Sequence, residues 1–360
     1  MYFKADIPES IARALHRGIV IPAVPLALSA DRHLDERRQR ALLRYYAAAG
    51  VGGVAIGVHT TQFAIREPRH NLFETLLRVS ASVFNEIDSG LEGPRREPLV
   101  RIGGICGQTP QAFREASFLR EAGYHAGLLN LGALRESSEQ VVIAHCREVA
   151  AQIPVFGFYL SESVGGRILP YSFWRQFAEI ENVAAVKIAC FNRYQTINVI
   201  RAIVDAGRDD IALYTGNDDH IILDLITPYR FRRDGQVVTR HFAGGLLGHW
   251  AVWTRRAVEQ LELCRAANVT GGASDEVLTL ANEVTDANAA LFDPSHNFAG
   301  CIAGLHYVLM RQGLFDNLCL LDPNEALSPG QANEIERVIA TYPHLHDDDF
   351  VAEHIKRWLS

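Results

Sequence analysis

The chain has 360 residues, 48% hydrophobic and 21% charged, with a formal net charge of -7. That is enough apolar material for one large barrel or two medium domains. The acidic balance, with a pI near 6.1, excludes a general nucleic-acid binder, which needs a basic face.

No run reaches the roughly eighteen apolar residues of a membrane span. The opening MYFKADIPES lacks the basic and apolar regions of a signal peptide. Six cysteines (Cys106, Cys146, Cys190, Cys264, Cys301 and Cys319) form no CxxC pair, and several lie in apolar runs. This argues for a reducing cytoplasm and against a disulfide framework or a zinc ribbon. Short arginine clusters at 37–38, 95–96 and 230–233 read as solvated faces or loops.

Along the chain, short apolar runs alternate with amphipathic stretches, the pattern of a repeating βα fold. Residues 18–28 (GIVIPAVPLAL) precede a helical stretch at 34–49, and 51–58 (VGGVAIGV) precede one at 72–85. Next, 99–106 (LVRIGGIC) lead to a helix opening at Thr109 and Pro110, a good cap and first-turn pair. The segment 126–130 (AGLLN) pairs with 138–152, 154–160 (PVFGFYL) with 171–181, and 183–189 (VAAVKIA) with 194–206. Two last units follow, 211–215 (IALYT) with 218–225 and 242–247 with 250–266.

Eight consecutive strand–helix units, with strands apolar on both faces, predict a closed (β/α)8 TIM barrel, an α/β fold, over 1–266. No GxGxxG follows the first strand, so a dinucleotide fold is the weaker reading. From 267 to 360 the pattern turns wholly helical, with candidates at 275–291, 297–312, 328–341 and 347–359. Ser328 and Pro329 mark a helix start there. This predicts a C-terminal helical appendage on the barrel. Residues 87–98 and 228–240 read as insertions without a chemical motif.

Reactive groups of such barrels lie at the C-terminal ends of the strands. Alternation in the sixth run places Val183, Ala185, Lys187 and Ala189 on one face, a small-residue face suited to a crowded interior. Burial without a partner penalises a charged amine, and the neutral amine attacks carbonyls. Lys187 is therefore the candidate nucleophile; otherwise it snorkels from the barrel mouth or pairs with a buried carboxylate. Tyr159 ends the fifth run on the face of Val155 and Gly157, and is predicted to share the cavity as a proton carrier. Its alternative is a core tyrosine bonded to the backbone.

Several segments together resemble the dihydrodipicolinate synthase and N-acetylneuraminate lyase superfamily of class I aldolases. Residues 18–26 resemble its first strand, 49–57 its AGV-G-hydrophobic-G segment, and 153–159 (IPVFGFY) the strand ending in its catalytic tyrosine. Residues 182–189 (NVAAVKIA) resemble the strand of its Schiff-base lysine, and 215–219 (TGNDD) its S-G-x-D segment. The separation of Tyr159 and Lys187, 187 minus 159 or 28 residues, is also the one that family uses.

There are departures. The family's G-T-T-G-E loop is here Gly57-Val58-His59-Thr60-Thr61-Gln62, and its second tyrosine is replaced by Asn130-Leu131-Gly132-Ala133. Its arginine after the fifth strand is displaced, leaving Arg167 as the candidate for a substrate carboxylate.

The resemblance implies a Schiff-base-forming lyase that acts on pyruvate or another 2-oxo acid. It needs no metal and no cofactor beyond the imine on Lys187. In this reading Tyr159 shuttles protons, and His59, Thr60, Thr61 and Arg167 hold the carboxylate. Asn217 and Asp218 line the mouth, or serve as a turn and helix cap. The resemblance also implies a homo-oligomer, dimer or tetramer. The rivals are a sugar-acid dehydratase or deaminase using the same imine, a non-catalytic barrel that binds 2-oxo acids, and a metal-dependent barrel lyase.

Overall fold

The structure is a computed structural model that describes residues 2–90 and 97–360. Arg95 and Arg96, with half of the insertion expected at 87–98, lie outside the described residues.

Seven short strands come first: β1 Val20–Pro22, β2 Gly53–Ile56, β3 Val100–Ile105, β4 Ala126–Leu129, β5 Val155–Leu160, β6 Val183–Ala189 and β7 Ala212–Thr215. A hairpin follows, β8 Tyr229–Arg233 and β9 Gln236–Arg240, and then β10 Gly244–Leu247. The order β1-β10-β7-β6-β5-β4-β3-β2 is parallel throughout, and a bridge between Ala23 and Ala55 joins its two edges. The amide of Val24 bonds the Ala55 carbonyl at 2.9 Å across that seam. The architecture is the closed (β/α)8 barrel that the eight apolar runs predict, with further helices after it.

The floor of the barrel is sealed. A helix at Glu9–Arg17 buries Ile11, Ala14 and Leu15 against inward residues such as Phe156, Tyr214 and Leu246. The Tyr214 hydroxyl donates to the Leu15 carbonyl at 2.9 Å. Only the C-terminal ends of the strands are left for a ligand, which is where loops of this fold gather chemistry.

The last barrel helix, Thr254–Thr270, is followed by helices at Asp275–Phe292, Cys301–Arg311, Gln331–Thr341 and Asp348–Trp358. Their apolar faces join the same continuous core as the barrel helices. The helix expected from 297 starts only at Cys301. Asp293, Asn297 and Phe298 ahead of it have φ of 56°, 53° and 65°, which no α-helix allows.

Two other expectations are corrected. Arg37 is exposed, as a solvated face implies, and donates to the Leu359 carbonyl (2.8 Å), but Arg38 is half-buried and donates to the carbonyls of Gly313 (2.7 Å) and Leu314 (3.1 Å). The Arg37 bond meets the residue that ends the helix Asp348–Trp358, whose last carbonyls lack partners of their own, and the Arg38 bonds hold the turn after the helix Cys301–Arg311. The insertion at 228–240 is the β8–β9 hairpin, turned by Asp234 and Gly235, both at positive φ. Among the described residues no helix is long and apolar enough to cross a membrane.

Candidate active site

Lys187 lies inside the barrel in β6, 7% exposed. Its amine sits 4.7 Å from the centre of the Phe158 ring, and no ion pair reaches it among the described residues. Gly216 provides the room: a Cβ there would stand 2.4 Å from Lys187 Cε and 2.8 Å from Ala189 Cβ. Burial lowers the amine pKa to about 8, although the Asp218 carboxylate pulls it upward.

Asp218 follows β7 and lines the same cavity, 4% exposed. Its Oδ1 accepts the His249 amide at 2.9 Å. Burial raises its pKa to about 7 against the opposing pull of Lys187. Two titrations so displaced toward neutrality, in groups that act on each other, mark a site able to move protons near pH 7.

His59 and Thr60 also line the cavity, on the short turn His59–Thr61 after β2. Burial, helped by the Lys187 charge, lowers the His59 pKa to about 4, so the imidazole is neutral at physiological pH. Gly57 begins this turn at φ 74°, a conformation that favours glycine. The threonine hydroxyls are engaged: Thr60 Oγ1 donates to the Ala23 carbonyl at 2.7 Å and Thr61 Oγ1 to that of Val24 at 2.6 Å. Thr61 is therefore a brace between β1 and the turn and does not line the cavity. The amides of His59 and Thr60 have no backbone acceptor among the described residues.

Besides Thr61, three predicted site residues lie elsewhere. Tyr159 pairs in register with Ile188, whereas Phe158 pairs with Lys187. The face shared by Val155, Gly157 and Tyr159 looks outward, into the helix layer. There the Tyr159 ring packs 5.4 Å from Trp174 and its hydroxyl accepts the Leu169 amide at 3.2 Å. The cause is one irregularity. Between the first two pairs the partners advance one residue in β5, from Val155 to Phe156, but two in β6, from Val183 to Ala185. The extra residue, Ala184, turns Val183 outward and leaves Ala185, Lys187 and Ala189 inward.

Arg167 also lies away from the cavity. It donates to the carbonyls of Leu134 (2.5 Å) and Ser137 (3.1 Å), fastening the loop after β4. Asn217 is fully buried behind the cavity: its Oδ1 accepts the Phe191 amide at 3.0 Å and its Nδ2 donates to Asp224 at 2.9 Å.

The cavity leaves about 40 Å³ open to water-sized molecules, room for about three waters. Sequence reasoning missed Phe158 on its wall and Phe292, Phe298 and Cys301 on its roof, the last three from the C-terminal region. Phe158 follows from register alone. No periodic signal singles out the roof residues, which come from a turn and the helix ends beside it.

Comparison with solved structures gives one consistent answer. A dihydrodipicolinate synthase from Oceanobacillus iheyensis matches with TM-score 0.71 at 13% identity, over 92% of this chain and 99% of the other. The enzyme from Thermotoga maritima matches with TM-score 0.70 at 16% identity, over 92% and 100%. YagE, a prophage protein of the dihydrodipicolinic acid synthase family from E. coli K12, solved in complex with pyruvate, matches with TM-score 0.69 at 16% identity, over 92% and 99%.

The fold is that of the dihydrodipicolinate synthase barrels. At such identities the likeness is one of fold. No protein-family model matches the sequence, and no curated protein matches it. The resemblance read from the sequence thus agrees with the neighbours of the dihydrodipicolinate synthase-type fold, and the chemistry has to be argued from the cavity.

Proposed function

We propose that the protein is a Schiff-base-forming lyase that acts on pyruvate or another 2-oxo acid through Lys187. The observation carrying this is the lysine itself, buried in a small, largely apolar cavity without an ion-pair partner, its amine displaced to a pKa of about 8. A structural lysine in such a place is rare, because the attraction of Asp218 offsets only part of the loss of hydration. The neutral amine adds to the keto carbon, the carbinolamine loses water, and the protonated imine withdraws electrons from the neighbouring carbon. A bond to that carbon can then break or form. The fold shared with YagE, captured with pyruvate, supports the choice of a 2-oxo acid.

With Tyr159 facing outward, proton transfer falls to groups that do line the cavity. Asp218, titrating at about 7, can hold a proton for the departing water and take one back. Neutral His59 can accept or donate across the same space. The free amides of His59 and Thr60 are the donors available to a substrate carboxylate, since Arg167 is committed elsewhere.

Incubation with pyruvate and borohydride, followed by mass spectrometry, tests the reading. A reduced adduct on Lys187 supports it. No adduct with pyruvate or with longer 2-oxo acids rejects it and favours a binding barrel, a rival that the outward-facing Tyr159 keeps in play.

A further inference from the structure

The hairpin β8–β9 precedes the last barrel strand and builds a pocket of its own, apart from the Lys187 cavity. Its alternation turns Tyr229 and Phe231 toward the core, where both pack against buried residues, and leaves Arg230 outward. The Tyr229 ring meets Phe242 at 5.7 Å, and its hydroxyl donates to the buried Asp224 carboxylate at 2.9 Å. Arg230 stands opposite Thr239 in the pair. One face of the hairpin is thus anchored, and the other presents an arginine beside a threonine.

The other wall comes from the short helix Ile221–Ile226 and from the turn between the helices Thr254–Thr270 and Asp275–Phe292. Gly271 ends the first of these two helices at φ 78°, and a Cβ on Gly271 or Gly272 would meet nothing within 4 Å. The space enclosed is about 470 Å³, within the range of small-molecule sites. Its walls divide by chemistry. The hairpin and the residue after it supply Arg230, Thr239 and His241, and the helices supply Leu223, Ile226 and Leu278. Leu278 is 43% exposed although its neighbour Val277 is buried. Among the described residues no carboxylate lines the pocket, and the side chains of Arg230, Thr239 and His241 make no hydrogen bond or ion pair. Arg233 and Arg240 of the same hairpin both pair with Asp209, so Arg230 is left without a counter-ion.

We propose that this pocket binds a small organic monocarboxylate, with its carboxylate on Arg230, Thr239 and His241 and its hydrocarbon body on Leu223, Ile226 and Leu278. A guanidinium fork matches a carboxylate in charge and geometry, and the hydroxyl and the imidazole offer it further donors. The apolar wall asks for a ligand with more than a charge. A second anionic group would find no cation of its own there, and an amine would face Arg230, so diacids and amines are disfavoured. Because Tyr229 fixes the hairpin beforehand, binding does not have to order it, which favours affinity. The site is independent of the Schiff-base reading, since it shares no residue with the Lys187 cavity.

Equilibrium dialysis of the full-length protein with radiolabelled hexanoate, displaced by hexanol or by inorganic phosphate, tests the site. Hexanoate should bind, and hexanol and phosphate should each displace it at least about tenfold more weakly, because each lacks half of the match. Arg230→Gln should weaken hexanoate about tenfold and leave borohydride trapping of pyruvate unchanged. Leu278→Ser, at a partly exposed position, should weaken it about threefold without moving the melting temperature. Lys187→Met should bind hexanoate as the wild type does. No retention of hexanoate, or retention undiminished in Arg230→Gln, overturns the site. Hexanol as effective as hexanoate would leave only an apolar groove, and phosphate as effective only a cationic patch; either overturns the monocarboxylate. Loss of binding in Lys187→Met places hexanoate in the inner cavity and overturns the proposal too. Hexanoate bound as expected with no pyruvate adduct overturns the Schiff-base reading and spares this one.

Discussion

Strands β5 and β6 lie side by side, and their chemistry is turned in opposite directions. In β6 the inward positions end in Lys187 and Ala189, and the polar group stays in the cavity because Gly216 leaves space for its stem. In β5 the inward positions are Phe156, Phe158 and Leu160, and the phenol of Tyr159 is spent on the Leu169 amide outside the barrel. Parallel neighbours share a period of two, so a single unpaired residue, Ala184, decides which of two adjacent aromatic residues meets the lysine. Two residues at the expected spacing on neighbouring strands can thus face opposite ways.

The sharpest way to break this comparison is to remove the amine. Lys187→Met should abolish the pyruvate adduct altogether, as seen by mass spectrometry after borohydride. Next, Gly216→Ala would drive a methyl into Lys187 Cε. Misplacement on the scale of an ångström costs a reaction about 100-fold, so trapping should slow by roughly that factor, and the melting temperature should fall because the Ala189 Cβ, 2.8 Å from the new methyl, cannot swing aside and overpacking costs about 1–3 kcal/mol. An undiminished rate would show that the position of the amine is not constrained by β7.

The β5 side can be sharpened with an exchange of roles. Tyr159→Phe should leave the trapping rate within about threefold and cost about 1 kcal/mol of stability through the orphaned Leu169 amide. Phe158→Tyr should instead place a phenol beside Lys187 and raise imine-dependent deuterium exchange at carbon 3 of pyruvate. General acid–base groups contribute about 100-fold or more when well placed, so even a partial gain is measurable by NMR. Loss of activity in Tyr159→Phe would mean that the tyrosine reaches the cavity after all.

The smallest effect is in pH dependence. Trapping should rise with pH about a midpoint near 8, not near the ordinary lysine value, because burial favours the neutral amine. Stability follows the same displacements. Lys187 binds fewer protons folded than unfolded between about 8 and 10.5, so its contribution rises with pH across that window. Asp218 binds more protons folded than unfolded between 3.8 and about 7, so its contribution falls as pH rises there. Both therefore work against the fold at neutral pH. A double variant, Lys187→Met with Asp218→Asn, should melt higher than wild type at pH 7.5 and lose much of this dependence, as calorimetry can show. A lower melting temperature at that pH would mean that the pair stabilises the protein.

Much of the molecule was legible because the relevant signals are local. Eight apolar runs, each followed by an amphipathic stretch, report a barrel whose strands are buried on both faces. A lysine among alanines and valines reports itself, since few structural roles fit it. Asp218 and His59 were legible as positions in loops after strands. Their shifted titrations were not, because those depend on burial created by residues far away in sequence.

Other residues looked alike in the sequence and parted in the fold. Arg167 and Asn217 carry groups able to bind a substrate, yet the carbonyls of Leu134 and Ser137 claim one and Phe191 with Asp224 claims the other. Phe298 and Cys301 were hidden for the reverse reason: apolar residues in a turn and at a helix start carry no mark of the cavity they roof.

Sequence by itself thus determined the barrel, the helical character of the C-terminal region, and Lys187 as the residue to explain, since period, turn residues and burial preference are properties of short stretches. Tertiary structure alone decided that Tyr159 faces the helices, that Asp218 titrates near the lysine, and that Phe292, Phe298 and Cys301 line the same cavity. Register, desolvation and hydrogen-bond competition are set by neighbours that the chain brings together only when it folds.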